Sequence, residues 1–346
     1  MKLRLLLAAL LALLCTLFIL DLVLGSVRIP PAEIFAILTG GPGSQRSWHT
    51  IVMLFRLPKA LTAVGAGAGL AVSGLMMQTL FRNPLAGPSV LGISSGASLG
   101  VALVVMGGGA GRFSSRLIEN LGTFGNLGLV LAAVAGAGLV LAVILVAARF
   151  VSNIMTLLIV GLLGGYALNS IVSVLIHFSR PEIIQAYLAW SFGNFGNVTW
   201  KEMAIFLPVC GLFGGGCLLL GKPLNGLLLG ETYARSMGLN YLKTRLLVIG
   251  LTAVLVGVIT AYCGPVAFIG IAVPHLARAT TSTSDHRHLL PATAIAGAAI
   301  ALVADLLAQL PGQAAVLPLN AVTALIGSPV IIWFILKRQR IRRGFF

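Results

Sequence analysis

Acidic residues are nearly missing from this chain: 8 Asp and Glu stand among 346 residues, against 23 Lys and Arg. Charged residues of both signs make up 9%, whereas a soluble domain carries about 25%. So little charge excludes a water-soluble globular protein. No paired carboxylates and no Ser/His/Asp set fall at one depth, which argues against an enzyme. Cysteine is as sparse. Cys15, Cys210, Cys217 and Cys263 show no CxxC spacing and lie in or near apolar runs, where free thiols act as small apolar groups.

What fills the chain is apolar: 58% of residues are hydrophobic, with a mean hydropathy of +1.03. This is an all-α integral membrane protein, because uncharged runs of about 20 residues cross a roughly 30 Å hydrocarbon core as helices. Spans are expected near 5–25, 59–81, 90–108, 121–147, 153–177, 202–220, 244–262, 265–278, 289–308 and 319–336, ten in all. The stretch 265–278 is short and contains Pro274, so a partial or re-entrant helix is also open there. The first apolar run reaches Gly25 past Asp21, longer than the roughly 7–15 residues of a cleavable signal core, and is read as an uncleaved span. With no linker or low-complexity run, a single membrane domain over 1–346 is expected. An inside N-terminus puts 15 of the 23 basic residues in inner loops and 8 outside, favouring two cytoplasmic ends. The net charge of +15 follows from that bias rather than from nucleic-acid binding.

Several stretches go beyond apolar filler. Gly65, Gly69 and Ser73 mark a small-residue face in the second span, suited to close helix packing. Arg82-Asn83-Pro84-Leu85-Ala86 is a polar, helix-stopping turn. Gly221 to Lys243 is the longest inner connection and predicts two short helices closed by Gly238; an amphipathic loop on lipid headgroups and a docking element fit it equally well. Just upstream, GCLLLGK (216–222) has the skeleton of a phosphate loop but lacks the preceding strand and the following Ser or Thr. It is therefore not a nucleotide site, and the chain offers no other candidate for one. Trp190-Ser-Phe-Gly-Asn-Phe-Gly-Asn-Val-Thr-Trp200, Gly264 to Arg278 with its Val-Pro-His275-Leu-Ala-Arg ending, Ala304-Asp305 and Thr323 to Pro329 complete the set.

Together these stretches resemble the FecCD-type permeases of bacterial ATP-binding-cassette importers. The resemblance implies a homodimeric permease of about ten helices, joined by two ATPase subunits that use ATP and magnesium and by one periplasmic binding protein, in the inner membrane. It implies no cofactor or metal held by this chain, and no nucleic acid as partner. Arg56 and Lys59 occupy the family's positions for docking acidic residues of the binding protein. Asn83 and Leu85 match a turn that narrows the cytoplasmic exit, with Ser152 and Asn153 in the corresponding place after the fourth span. Leu229, Gly230, Glu231, Ala234, Arg235, Met237 and Gly238 match the loop that couples to the ATPase. Trp190, Phe192, Gly193, Phe195 and Gly196 match the segment bordering the central cavity. The chain departs from the family with Val316, Asn320 and Gln309, the last where Arg is common.

Asp305, an acid in an apolar span, is expected to accept hydrogen bonds as a structural group rather than carry protons, since no second acid is evident near its depth. That argues against the alternative of an ATPase-independent secondary transporter or channel. The family's cargoes are ferric siderophores, haem and cobalamin, with iron chelates commonest.

Overall fold

The computed structural model describes residues 2–41, 44–106, 125–151, 153–310 and 316–343. Every regular element among them is helical, as lipid demands of a chain whose backbone groups must be satisfied internally. The α-helices are α1 (Lys2–Val23), α2 (Pro31–Leu38), α3 (Arg46–Thr50), α4 (Leu57–Leu80), α5 (Ile93–Met106), α6 (Gly125–Phe150), α7 (Ile154–His177), α8 (Pro181–Ser191), α9 (Trp200–Leu219), α10 (Gly221–Leu228), α11 (Glu231–Ser236), α12 (Tyr241–Cys263), α13 (Ile269–Thr281), α14 (His286–Ala308) and α15 (Leu319–Arg343).

Seven helices among the described residues are long and apolar enough to span a membrane: Leu3–Val23, Arg46–Leu80, Leu127–Phe150, Ile154–His177, Trp200–Leu219, Tyr241–Cys263 and His286–Ala308. Seven of the ten expected stretches reach that length among the described residues, and the other three, at 90–108, 265–278 and 319–336, hold shorter helices. The stretch at 90–108 begins as a 3₁₀ turn, Pro88–Leu91, and continues as the 14-residue α5; residues 107 and 108 lie outside the described residues. The stretch at 265–278 is helical only from Ile269, because Gly264 and Phe268 take positive φ and Pro265 follows the break. The apolar part of α15, Leu319–Phe334, is also shorter than a full span. Conversely, the second span starts well before residue 59. A π-helical turn, Ile51–Arg56, fuses α3 to α4 in one run of 35 residues.

Burial orders these helices into a centre and a ring. Over the most apolar 18 residues of each helix, 78% are buried in the Arg46–Leu80 run and 67% in α12 and α14, against 11% in α1 and 17% in α7 and α9. A helix apolar on all sides belongs at such a centre. Its packing rests on backbone approach. A Cβ on Gly67 would sit 2.5 Å from the Ala301 Cβ and 2.9 Å from the Gly297 carbonyl carbon; one on Gly74 would sit 2.7 Å from the Gly270 Cα. The face expected at Gly65, Gly69 and Ser73 also packs inside the chain. Gly65 meets the Phe206 ring of α9 and Gly69 meets Ile259 and Leu255 of α12.

Replacing Gly67 by Val should lower stability by about 1–3 kcal/mol, the usual cost of overpacking. Gly138→Ala, where nothing lies within 4 Å, should be neutral. Thermal melts of the detergent-solubilised variants check this; equal melting temperatures would mean that α4 and α14 can separate freely.

Candidate gate and coupling site

At the C-terminal end of α4 the chain breaks through Arg82, whose φ is +48°. The Asn83 side chain accepts from the Leu85 amide at 2.9 Å, and the Asn83 carbonyl accepts from the Ala86 amide at 3.1 Å, which closes the turn. Pro84 holds it and Leu85 is left 47% exposed. Neighbouring helices then clamp the turn. His275 Nε2 on α13 donates to the Pro84 carbonyl at 2.9 Å. Arg278 donates to Gln78 Oε1 at 2.6 Å, and Gln78 Nε2 donates to the Ile271 carbonyl at 3.2 Å. Thus His275, part of the motif that ends at Arg278, has a specific acceptor in this turn.

The two short helices expected in 221–243 are α10 and α11. His286, buried at the start of α14, joins them to α4: Nε2 faces the Thr79 hydroxyl at 2.7 Å and Nδ1 faces Asn225 Oδ1 of α10 at 2.8 Å. Asn225 Nδ2 donates to Asp285 at 2.6 Å, and Asp285 caps α14 through the Arg287 amide at 3.0 Å. Those bonds hold the Asp285 carboxyl below its ordinary pKa. A depressed carboxylate loses its contribution only as pH falls through the lowered value, so the link stays charged at neutral pH. Gly230, at φ +97°, brings the next turn against Arg82: a Cβ there would lie 3.3 Å from Arg82 Nη1. The loop thus touches the turn directly. Its end is fixed by Gly238, at φ +81°, and the Leu239 amide donates back to the Ala234 carbonyl at 3.0 Å.

Within α11, Glu231 and Arg235 pair at 2.7 Å on the exposed side. Ala234 is fully buried, which makes it a packing residue rather than a contact surface. The free apolar surface is made by Leu229 at 57%, Tyr233 at 56% and Met237 at 54% exposed. Tyr233 was not picked out from sequence, although its four-residue spacing to Met237 at the end of α11 puts it on one face with that residue.

Asn153 caps α7 by accepting from the Met155 amide at 2.8 Å, the same local device as Asn83. Ser152 lies outside the described residues. In the segment after α8, Phe192 is 48% exposed while Trp190 is 7% and Phe195 is 0% exposed. Within this chain Trp190 and Phe195 anchor the loop in the core. Gly193, at φ +74°, lets the Asn194 amide reach the Cys263 carbonyl at 2.8 Å, and Gly196 donates to Asn194 Oδ1 at 2.8 Å. Asn320 donates its amide to the Phe192 carbonyl at 3.0 Å and accepts from the Ala267 amide at 3.3 Å. That family departure therefore stitches three segments together.

At the other end of α4 the outer cations are not free. Arg56 is 6% exposed; its guanidinium donates to the Leu22 carbonyl at 2.6 Å, to Val23 at 2.9 Å and to Val27. It thereby caps the carbonyls left open at the end of α1. Helical continuation to Arg46 is the reason it lies within a helix instead of at a mouth. Lys59 pairs with Asp305 at 2.8 Å, their side chains 13% and 6% exposed. Gln309 Nε2 bridges Asp305 at 2.6 Å and the fully buried Asp21 at 3.2 Å. Both residues expected to dock a partner are thus engaged within the chain, and Asp305 does have an acid nearby, on α1. The sequence signal was there: Asp21 is itself an acid inside an apolar run.

Removing one partner of a buried ion pair costs about 3–5 kcal/mol, because a charge stays behind unpaired. Lys59→Met should therefore melt well below the parent, and Lys59→Met with Asp305→Asn should recover most of the loss. A single Lys59→Met that keeps full stability would show that the pair is dispensable to the fold.

The sequence matches the FecCD transport family over residues 12–337. It is 37% identical over 302 residues to the vitamin B12 import system permease protein BtuC of Escherichia coli O9:H4 (strain HS), covering 86% of this chain and 88% of that one. Against the protein of the same name from Shigella boydii serotype 18 it is 37% identical over 289 residues, 84% of each chain. The fold superposes on an inward-facing metal-chelate type ABC transporter with a TM-score of 0.82 at 28% identity, covering 96% of this chain and 98% of the other. The chain belongs to the FecCD transport family.

Proposed function

We propose that this chain is the permease subunit of an ATP-driven importer for a large metal chelate, working as a homodimer with two ATPase subunits and one periplasmic binding protein. It sits in the bacterial inner membrane with both termini cytoplasmic. The observation that carries this is the contact of the α10–α11 loop with the Arg82–Leu85 turn at Gly230, beside the half-exposed apolar side chains of Leu229, Tyr233 and Met237. Movement imposed on that face by a partner reaches the turn through Gly230 and through the Asn225–His286–Thr79 bonds.

The homodimer reading draws on α7. Tyr166, Asn169, Ser170 and Ser173 are exposed on a helix of whose most apolar 18 residues only 17% are buried. Polar side chains on a spanning helix face protein or a water-filled path rather than lipid. A second copy across that face forms the path, with Leu85 and Asn83 narrowing its cytoplasmic end. Docking of the binding protein falls to cations that remain exposed at the outer end: Arg28, Arg46, Arg180 and Lys201.

The relatives named for vitamin B12 import make cobalamin the first cargo to test, with ferric siderophore and haem beside it. ATP-dependent uptake into proteoliposomes holding the permease, ATPase and binding protein decides among them. Uptake that proceeds without the ATPase would overturn the reading. Tyr233→Ala with Met237→Ala should weaken ATPase binding about tenfold or more, since truncating central interface anchors costs over 1 kcal/mol each. Co-purification and coupled ATP turnover measure it. Leu85→Ala should raise ATP turnover per cargo moved by letting cargo slip; an unchanged ratio would make Leu85 a packing residue.

A further inference from the structure

A cavity of about 660 Å³ opens between α6, α9 and α12, within the usual roughly 300–1,000 Å³ of a ligand site. Leu141, Leu145, Phe213, Leu246 and Leu251 line its wall, and Gly250 forms an open floor with nothing within 4 Å of where a Cβ would stand. Leu242 and Leu247 are each 44% exposed at its edge, so the cavity meets the bilayer. Its polar end carries Arg149, in the last turn of α6, and Lys243, in the first turn of α12, with Asn240 beside them. Both cations are exposed, and neither joins an ion pair among the described residues. Arg245 fixes that end by donating to the Val151 carbonyl at 2.8 Å, which holds the chain beyond Arg149 against α12.

Two unpaired cations over an apolar slot match an amphiphile with an anionic head and a hydrocarbon tail. No lining residue comes from α7 or α15, so the second copy proposed across the polar face of α7 does not cover it. We propose that this groove binds an anionic phospholipid, its phosphate between Arg149 and Lys243 and one acyl chain along α12 over Gly250. The lipid belongs to the cytoplasmic leaflet, an assignment that rests on the orientation proposed above. Because it bridges α6 to α12 next to the α11–α12 connection, the lipid would brace the helix that follows the coupling loop.

The test uses the full chain with Phe213→Trp as reporter, in vesicles of phosphatidylcholine containing brominated phosphatidylglycerol or, separately, brominated phosphatidylcholine. Emission of the Phe213 parent is subtracted. Brominated phosphatidylglycerol should quench at a lower mole fraction, roughly fivefold for each basic side chain, from about 1 kcal/mol apiece. Arg149→Gln with Lys243→Gln should abolish that preference, added salt should weaken it, and Gly250→Leu should reduce quenching by both lipids. Equal quenching by the two lipids, a preference that survives the double Gln variant, or no quenching by either would each overturn the proposal. Both leaflets carry the same lipids, so the result does not depend on the orientation or on transport. Should the Trp reporter fail to fold, native mass spectrometry of the otherwise unaltered chain reads the same preference: phosphatidylglycerol retained by the parent and lost from the double Gln variant supports the site, and equal retention overturns it.

Discussion

Backbone contact between α4 and α14 is the constraint on which the rest of the bundle depends. Lipid tails are as apolar as leucine, so burying apolar surface gives helices no reason to associate within the membrane. Close packing and polar contacts must do it. Gly67 and Gly297 let the two backbones touch, and any side chain at either position would wedge them apart. With the separation set there, the polar contacts near the two ends fix rotation and register: Lys59 to Asp305 at one, Thr79 to His286 at the other. A helix pinned at its middle and near both ends has little freedom to tilt.

The charges at the outer end show how such a pin survives in a poor dielectric. Asp21 and Asp305 bring two potential negative charges together, and Lys59 and Arg56 bring two positive ones. An isolated charge there would be costly, so each is placed against a partner or against open carbonyls. Gln309 suits this balance better than the Arg common in the family. Its amide reaches both acids without adding a third cation to a cluster already neutralised. The residue that departs from the family pattern is, in the folded chain, the bridge between α1 and α14.

Sequence alone made the helical class and the inner assembly legible, because both rest on local signals. Hydropathy marks spans, Pro84 and Gly238 mark breaks, and a Leu-Gly…Ala…Gly spacing marks the α10–α11 loop. It failed where meaning depends on distant partners. Arg56 and Lys59 looked like outer cations until the π-helical turn carried the helix back to Arg46 and α1 packed alongside. Phe195 looked like cavity lining, yet the positive φ of Gly193 turns the loop so that its ring enters the core. Thr79, Asn225 and His286 lie far apart in the chain, and no spacing rule connects them.

For the proposed transport cycle, this distribution of rigidity has a consequence. Opening and closing cannot come from bending α4 or sliding it along α14, since both would break backbone contacts that admit no intermediate spacing. The parts free to move are the periphery, where only 17% of the most apolar 18 residues of α7 and of α9 are buried, and the whole protomer. In the proposed homodimer, exchange of access is a rigid-body rocking of one copy against the other, a two-state change of an interface rather than of a core. The Arg82–Leu85 turn travels with α4, locked to α13 by His275 and touching Gly230 of the coupling loop. In that proposal, force applied at Tyr233 and Met237 moves the Arg82–Leu85 turn and α4 together, so that a small rotation at the proposed ATPase face displaces the proposed exit without refolding any segment.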